Sequence, residues 1–345
     1  MNKNNYIEYS PDLDQEIFEL LENQPRKSLF WKWQYLQNPT GPRPCPMFIL
    51  QNKSEGKPEI IAFNGIVPME VKIGDKLHAA YWSCDTFVKP SFRGQGIGQE
   101  LTKKKEETFP LLLAFNPTPV NRHNYEKHGW FAYDRISEFY YVLSANSPLE
   151  YIKLLNQTLL RIKGYFQHHK VAPNYKYELA PASEVIEELA AKWKHYREQY
   201  TNAVERSSEY LNWRYVSHPT AEYRAVVTRD REDNKLHSAV LYRLGKNLRL
   251  VDYIGPNDDI GTKIEMVKCL LTFATSAESK VKMLGCITSH RGLAQALSIC
   301  GFRRVPSTIA VLMKCNLEKY SELNHSQLSN DWFFMGGDSD LESIN

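Results

Sequence analysis

The spacing of apolar and polar positions predicts alternating strands and helices in the first half of the chain. Residues 59–73 alternate and run into a Gly74-Asp75 turn, which indicates a hairpin with the strand that follows. The other strands predicted in this half lie at residues 47–51, 77–88, 111–115 and 131–143. Helices are predicted at residues 13–21, 98–109 and 121–128.

The second half repeats this order of elements. Its predicted strands lie at residues 223–228, 236–244, 248–254, 281–287 and 308–314. Its predicted helices lie at residues 182–196, 259–277 and 292–299. Between the halves, Leu155, Leu159 and Ile162 share one helical stripe, which predicts a connecting helix over residues 149–166.

A short aromatic motif occurs once in each half. The residues Trp33, Tyr35, Pro39 and Thr40 recur 180 positions later as Trp213, Tyr215, Pro219 and Thr220. Because both copies follow an amphipathic helix and precede a strand, the repeat indicates a duplication. We therefore predict a first domain at residues 1–147, a connecting helix at 148–172, a second domain at 173–317 and a tail at 318–345.

Composition and charge argue against several classes of protein. The net charge of +3 is too small to indicate a nucleic-acid partner, and the run Lys103-Lys104-Lys105 is predicted to be a solvated helix face. The six cysteines show no metal-ligand spacing, so we expect reduced thiols and no metal. The polar start and the shortness of every apolar stretch predict a cytoplasmic protein without a membrane partner.

The segment at residues 85–98 carries the strongest chemical signal. A strand leads into a turn that contains Gly94, Gly96 and Gly98, and a helix follows directly. Converging main-chain N–H groups and the positive end of the helix favour a diphosphate, and Arg93 adds a full charge. A dinucleotide-binding loop fits poorly because this loop follows antiparallel strands late in its domain. A nucleoside-triphosphate loop fits poorly because Gly-Lys-Ser/Thr is absent.

Two motifs give this half a resemblance to the GNAT acetyltransferase superfamily. The run Val-x-Pro-x-x-Arg-Gly-x-Gly-Ile-Gly at residues 88–98 is similar to its motif A, and Tyr-Glu-Lys-His-Gly-Trp at residues 125–130 is similar to its motif B. The resemblance covers residues 40–145 and extends to the remainder through the repeat. It implies an α/β (α+β) fold of two tandem GNAT-like domains, each with a mixed, mostly antiparallel central sheet flanked by helices.

The resemblance also assigns roles to matching residues, with acetyl-CoA as the acyl donor. The coenzyme pyrophosphate would be held by Arg93, Gly94, Gln95, Gly96, Ile97 and Gly98. Phe87 and Val88 would offer backbone groups to the pantetheine and the acetyl carbonyl, with an N–H near Val88 as the oxyanion donor. Tyr125 would protonate the departing thiolate, since a phenol of pKa about 10 suits a thiol of pKa about 8.5.

The general base that deprotonates the amine is less well determined. Asp85, three residues before Val88, is the nearest acid along the same strand and is the catalytic candidate. A structural or solvent-facing role fits its position equally well, because strand alternation places it on the face of Phe87. Asn64, His78 and His123 are further polar candidates.

The corresponding positions of the second half lack this chemistry. The loop at residues 255–261 reads Gly-Pro-Asn-Asp-Asp-Ile-Gly, in which proline removes an N–H donor and two aspartates repel a diphosphate. Leu297 stands where the motif B tyrosine would be. We therefore predict a degenerate domain that shapes the acceptor pocket, with the tail from residue 331 as a lid. This arrangement resembles two-domain GNAT enzymes such as the enhanced-intracellular-survival aminoglycoside acetyltransferases.

Together these features predict an acetyl-CoA-dependent N-acetyltransferase that acts on the primary amine of a small molecule, with amino sugars among the candidate acceptors. The alternatives are a protein or peptide N-acetyltransferase and a non-catalytic acyl-CoA-binding protein. An aminoacyl-tRNA-dependent peptidyltransferase fits less well, because the resemblance implies that such enzymes lack these loop glycines in their first domain. A homodimer is compatible with the sequence.

Overall fold

The chain folds into two compact units, each assembled from two separate stretches of sequence. A computed structural model describes residues 4–21, 27–53, 58–144, 157, 174–276, 281–316, 318–321, 323 and 325–339. The first unit comprises residues 1–134 and 309–329, and the second comprises residues 135–308 and 330–345. Apart from Gln157, the predicted connecting helix at residues 148–172 lies outside the described residues.

Except for the strand predicted at residues 131–143, the strands and helices predicted within the described residues are present close to their predicted bounds. Within the described residues the strands are β1 Asn4–Ile7, β2 Met47–Asn52, β3 Glu59–Ile73, β4 Lys76–Val88, β5 Leu111–Phe115, β6 Phe131–Tyr133, β7 Ser137–Val142, β8 Tyr175–Pro181, β9 Asn202–Val204, β10 Tyr223–Asp230, β11 Leu236–Arg243, β12 Leu248–Ile254, β13 Met283–Thr288, β14 Arg303–Val305, β15 Val311–Cys315 and β16 Trp332–Phe333. The α-helices are α1 Asp14–Leu20, α2 Lys27–Trp31, α3 Ile97–Thr108, α4 Pro119–Lys127, α5 Ala182–Tyr196, α6 Ser208–Leu211, α7 Ile260–Thr275, α8 Arg291–Ile299 and α9 His325–Ser329. None of the helices in the described part of the chain has the length and apolar character needed to cross a bilayer.

The main sheets of the two units have the same topology. Their strand orders are β1-β2-β3-β4-β5-β15-β6 in the first unit and β8-β10-β11-β12-β13-β7-β14 in the second. β4 pairs with β5 in parallel, and so does β12 with β13. The other neighbours along these two paths are antiparallel. The expectation of mixed, mostly antiparallel sheets flanked by helices is confirmed.

The two units exchange one strand each. β7 follows β6 of the first unit in sequence, yet it pairs with β13 and β14 in the second. β15 follows β14 of the second unit, yet it pairs with β5 and β6 in the first. The predicted domains at residues 1–147 and 173–317 differ from these units, since each included the strand that the structure gives to the other. Likewise, the single strand predicted at residues 131–143 is two strands, β6 and β7, in different units.

The repeated aromatic motif forms the same local structure twice. α2 continues into a π-helical turn at Lys32–Leu36, and α6 continues into one at Asn212–Val216. Tyr35 is fully buried, with its ring 4.7 Å from that of Trp31. The motif therefore marks equivalent elements in the two units.

Candidate active site

The sheet of the first unit opens between β4 and β5. Within the described residues these parallel strands pair only at Tyr81 with Leu112 and at Trp82 with Leu113. β4 then continues to Val88, whereas β5 ends at Phe115. An extended ligand can enter such an opening and bond to the free edge of a strand.

The hydrogen-bond register aims the Val88 backbone into this opening. The Lys89 N–H donates to the Ile61 carbonyl of β3 at 2.8 Å. Val88 itself lies opposite Ala62. Because main-chain groups alternate in direction along a strand, the N–H and C=O of Val88 point away from β3 and toward the β5 side. The Val88 carbonyl accepts a hydrogen bond from Arg93 Nε at 3.0 Å. By the same alternation, the Val88 N–H is directed into the opening.

The glycine-rich loop reaches the N-terminus of α3 in an open conformation. Gly94 and Gly96 have φ angles of 79° and 82°, in the left-handed region that favours glycine. Apart from the adjoining residues and the backbone of α3 itself, no described atom lies within 4 Å of the point where a side chain would begin on Gly94, Gly96 or Gly98. The first N–H groups of a helix have no partner within the helix and give its end a partial positive charge. The loop can therefore hold an anion on main-chain donors.

Of the three other residues predicted for this loop, one is charged and two stabilise the conformation of the loop. Arg93 is exposed, with its guanidinium carbon 5.4 Å from the centre of the Phe87 ring. The exposed Gln95 donates to the Ser91 carbonyl at 3.4 Å. Ile97 is buried in an apolar cluster that anchors the start of α3. Arg93 is thus the loop residue that can add charge at an anion.

Tyr125 lies on α4 with its hydroxyl against the open stretch of β4. The ring is buried and stacks on Trp130, with 4.3 Å between the ring centres. The hydroxyl is 3.2 Å from Ser83 Oγ and 3.5 Å from Thr86 Oγ1. Burial by itself raises the pKa of this phenol. The nearby Lys105 charge and the hydrogen bonds to the hydroxyl outweigh burial and lower the pKa.

Lys105 is a buried cation, although its sequence context predicts a solvated helix face. It is fully buried, whereas the Lys103 side chain is 74% exposed. The expectation was therefore wrong for Lys105. Ile97, Leu101 and Lys105 are spaced by four residues and share the inner face of α3, and that spacing was the signal available in the sequence.

A polar cluster surrounds the Tyr125 hydroxyl. The Lys105 ammonium donates to Tyr125 Oη at 3.0 Å and to Ser83 Oγ at 2.8 Å. The buried Asn64 donates to Thr86 Oγ1 at 2.9 Å. These contacts fix the phenol beside the stretch of β4 that pairs with β3 but not with β5.

Asp85 occupies a β-bulge of β4 and not a regular strand position. Its φ angle is 52°, and the pairing register shifts opposite it, between Phe63 and Gly65 of β3. Its carboxylate is 1% exposed, forms an ion pair with Lys27 and accepts from Tyr35 Oη at 2.5 Å. Because this carboxylate is buried and already paired with an ammonium and a phenol, it is not exposed to an incoming amine. The arrangement favours the structural role, and strand alternation could not anticipate it because the bulge breaks the alternation.

None of the other three candidates provides a general base in this polar cluster. Asn64 belongs to the cluster, but its amide is not basic. His78 is buried near the other end of β4, with its ring 5.2 Å from that of Tyr320. His123 is exposed on α4.

In the second unit a lysine closes the corresponding loop. Lys263, in the first turn of α7, is buried. Its ammonium donates to the carbonyls of Pro256, Asn257 and Asp259 at 2.8, 3.0 and 3.1 Å. Carbonyl groups that converge on a cation are the reverse of N–H groups that converge on a diphosphate. This loop is built around a positive charge.

The tail fills the opening of the second sheet. β12 and β13 pair near the start of β12 and then diverge. Residues 332–339 are buried, and Met335 forms a bridge with Thr288 of β13. A side chain on Gly337 would begin 2.6 Å from the Val251 carbonyl of β12. Residues 332–339 of the tail are therefore a buried element of the second unit, and the expectation of a lid is corrected for these residues.

Two buried arginines hold the tail in place. Arg206 Nη2 donates to Asp338 at 3.2 Å. Arg214 Nε donates to the Gly337 carbonyl at 2.6 Å, and Arg214 also donates to the Ser339 carbonyl. Neither arginine was predicted to hold the tail, because the tail residues that they contact lie more than a hundred residues away in the chain.

Comparisons with known proteins place this geometry among solved structures. No model of a known protein family and no curated protein matches the chain. A conserved protein from Enterococcus faecalis V583, described as a probable N-acyltransferase, is 13% identical with a TM-score of 0.57 over 90% of this chain and 72% of that one.

Two further solved structures match to a similar extent. A tandem GNAT protein from the clavulanic acid biosynthesis pathway is 11% identical, with a TM-score of 0.51 over 90% of this chain and 98% of that one. The N-myristoyltransferase of Saccharomyces cerevisiae with bound myristoyl-CoA is 11% identical, with a TM-score of 0.55 over 91% of this chain and 82% of that one. At such identities the likeness shows the fold alone.

Proposed function

Since the chain has a tandem GNAT-type fold, we propose that it is an acyl-CoA-dependent N-acyltransferase with its coenzyme site in the first unit. One observation carries the proposal: the first unit combines an opened strand pair, a glycine loop at a helix N-terminus and a tyrosine hydroxyl beside the opened strand. In the second unit the loop surrounds Lys263 and the tail occupies the opening. We therefore propose one coenzyme site per chain.

The chemistry follows from the positions of these groups. The coenzyme diphosphate would lie on the loop at residues 93–98, and the pantetheine would run along the open edge of β4. When the amine attacks, the Val88 N–H would donate to the thioester oxygen and stabilise its negative charge. As the C–S bond breaks, the sulfur takes the Tyr125 proton to give a free thiol. The new amide nitrogen releases its extra proton to solvent, from which the phenolate is later reprotonated.

For the acyl group we propose acetyl. Buried side chains pack in one cluster against the open strands, among them Ile66, Leu112, Ala114, Tyr125, Trp130 and Leu312. Because cores are packed as densely as organic crystals, this cluster leaves little space for a long chain. A short acyl group fits without rearranging it.

For the acceptor we propose the primary amine of a small molecule, with amino sugars among the candidates. A cavity of about 460 Å³ lies beside the end of β4. Its lining includes Phe87, Lys89, Pro90 and the carboxylates of Glu16, Glu19 and Glu59. The excess of negative charge attracts an ammonium group, and the volume suits a small molecule.

Titration calorimetry with acetyl-CoA tests the coenzyme site. We expect one site per chain. Gly96→Asp should weaken binding about tenfold or more, because it places a carboxylate beside the diphosphate and strains a left-handed position. Asn257→Asp, in the corresponding loop of the second unit, is the matched control and should leave the affinity unchanged. Two sites per chain, or wild-type affinity in Gly96→Asp, would contradict the proposal.

Turnover of Tyr125→Phe tests the acid. We expect it to fall roughly 10²- to 10⁴-fold while the affinity for acetyl-CoA stays the same. Thiol release can be followed with amino sugars, other small amines and a lysine peptide, each with acetyl-CoA and with longer acyl-CoA. A variant with full turnover would remove Tyr125 from this role. Activity on the peptide alone would replace the small-molecule acceptor with the peptide alternative.

A further inference from the structure

Lys105 is a charged group at the site that the proposed chemistry does not yet use. Its ammonium donates to Tyr125 Oη and Ser83 Oγ, and it lies 3.5 Å from Asn64 Oδ1. In the described part of the chain, none of the hydrogen-bond partners of this ammonium is a carboxylate. The charge also lies 4.5 Å from the centre of the Tyr125 ring and 5.5 Å from that of Trp130.

A fully buried ammonium without a carboxylate is costly. Asn64 and Ser83 satisfy hydrogen bonds but bring no negative charge. Tyr125 is the one partner here that can become an anion. Since an ammonium can only donate hydrogen bonds, its contact with the Tyr125 oxygen persists and strengthens when the phenol loses its proton.

We infer that Lys105 is a positioning residue for the acid: it holds the Tyr125 hydroxyl against the open stretch of β4 and stabilises the phenolate left after proton transfer. The catalytic part of this inference rests on the proposed function, whereas the pairing of the two side chains does not. In the transfer step the O–H bond of Tyr125 breaks and an S–H bond forms on the coenzyme. The negative charge moves from sulfur to the phenolate oxygen beside the ammonium. The lowered pKa of Tyr125 has the same physical cause.

Nuclear magnetic resonance of the full chain tests the pairing without any substrate. Labelling tyrosine with ¹³C at Cζ reports the ionisation of each ring, and Tyr125→Phe identifies the signal of residue 125. We expect Tyr125 to ionise at lower pH in the wild type than in Lys105→Met. Lys103→Met, on the exposed face of the same helix, is the matched control and should titrate as the wild type does.

Two results would overturn the pairing. One is a Tyr125 titration that is the same in the wild type and in Lys105→Met. The other is a wild-type Tyr125 that ionises at no lower pH than the other tyrosines. This second result needs no variant at position 105, so it can be obtained even if Lys105→Met does not fold.

Turnover and its pH profile test the catalytic part. Lys105→Met should lower turnover roughly 10- to 10²-fold with unchanged affinity for acetyl-CoA. It should also move the alkaline limb of the profile to higher pH, because the phenol then keeps its proton longer. In a Tyr125→Phe background Lys105→Met should have little further effect, since the two groups act as a unit. Additive losses or an unmoved limb would overturn this role.

The proposed function and the pairing of Lys105 with Tyr125 can fail separately. A protein that transfers no acyl group to any amine, yet shows the expected Tyr125 titration, would contradict the proposed function and support the pairing. An active enzyme whose Tyr125 titration ignores Lys105→Met would support the function and overturn the inference.

Discussion

Asp85 and Asp252 hold corresponding places on β4 and β12. Each accepts a hydrogen bond from the tyrosine of its repeat motif, Tyr35 or Tyr215. Each also pairs with a buried cation. The second unit keeps this trio although its loop is closed around a lysine. An arrangement that persists where the coenzyme loop is closed serves the fold, so we assign Asp85 to holding the bulge that shapes the open end of β4.

Substitutions at Asp85 separate this role from that of a base. Asp85→Asn removes the negative charge beside the buried Lys27, whose remaining partner Gln34 is neutral, and we expect the free energy of unfolding to fall by about 3 kcal/mol. The double variant Lys27→Met/Asp85→Asn also removes the Lys27 charge, so it should regain most of the stability and keep turnover within about tenfold of wild type.

Chemical denaturation and steady-state turnover measure these effects. Asp75→Asn, in the exposed turn between β3 and β4, is the control and should change neither quantity. A double variant that is stable but slower by several orders of magnitude would return Asp85 to the role of general base.

Among the elements of the second unit, the tail is held by a buried group of charges. Arg206 forms ion pairs with two buried carboxylates, Asp252 and Asp338, and the charge of the buried Arg214 also acts on Asp338. Burial raises the pKa of Asp338 to about 6, which Arg206 opposes and the negative charge of Asp252 reinforces. The folded state therefore favours a proton on Asp338 below this pH.

This raised pKa makes the stability of the second unit depend on pH. An aspartate ordinarily has a pKa near 3.9, so between about pH 4 and 6 the folded state binds more protons than the unfolded state. The stabilisation is present below about pH 4 and is lost as the pH rises through 6. We expect the difference in unfolding free energy between wild type and Asp338→Asn to fall by up to about 3 kcal/mol from pH 4 to 7.

Denaturant titrations at several pH values measure this difference. Asp331→Asn is the comparison, because Asp331 pairs with Arg135 and Arg291 at a half-exposed site, where little stability depends on the ion pair. A wild-type minus Asp338→Asn difference that is constant from pH 4 to 7 would show that Asp338 does not carry the shifted proton.

At the scale of the whole molecule, the exchange of β7 and β15 makes the two halves depend on each other. Without β15 the facing edges of β5 and β6 would be uncovered, and without β7 the same would hold for β13 and β14. Uncovered strand edges expose unpaired main-chain groups and favour aggregation. Neither half of the sequence contains a complete sheet.

Truncation tests this dependence. The fragment of residues 1–147 lacks β15, and we expect it to be insoluble or to show no cooperative unfolding by circular dichroism. Residues 1–134 joined through a flexible linker to residues 309–329 contain the whole first unit, so this fragment should unfold cooperatively. If residues 1–147 alone folded and bound acetyl-CoA as the full chain does, the exchanged strand would be dispensable.

Most of the longer strands and helices and the duplication could be predicted from the sequence, and the resemblance implied the tandem GNAT-like fold, which the solved structures confirm. The sequence also located the glycine loop and Tyr125 as the candidate site. These features are local: hydrophobic period, turn residues and motif spacing are set by neighbours a few positions away, so they can be read along the chain. The difference between the glycine loop at Gly94-Gln95-Gly96 and the loop at Pro256-Asn257-Asp258 is also local, so it too can be read along the chain.

Which strand joins which sheet, which charges are buried and where the tail lies depend on the three-dimensional packing and could not be predicted from the sequence. β7 and β15 each show the pattern of a buried strand, and that pattern does not say which sheet supplies the neighbours. Lys105, Asp85 and Asp338 depend likewise on partners 20, 58 and 132 residues away. Burial and pairing of charge are properties of the packed interior, and they depend on contacts between segments that no local pattern encodes.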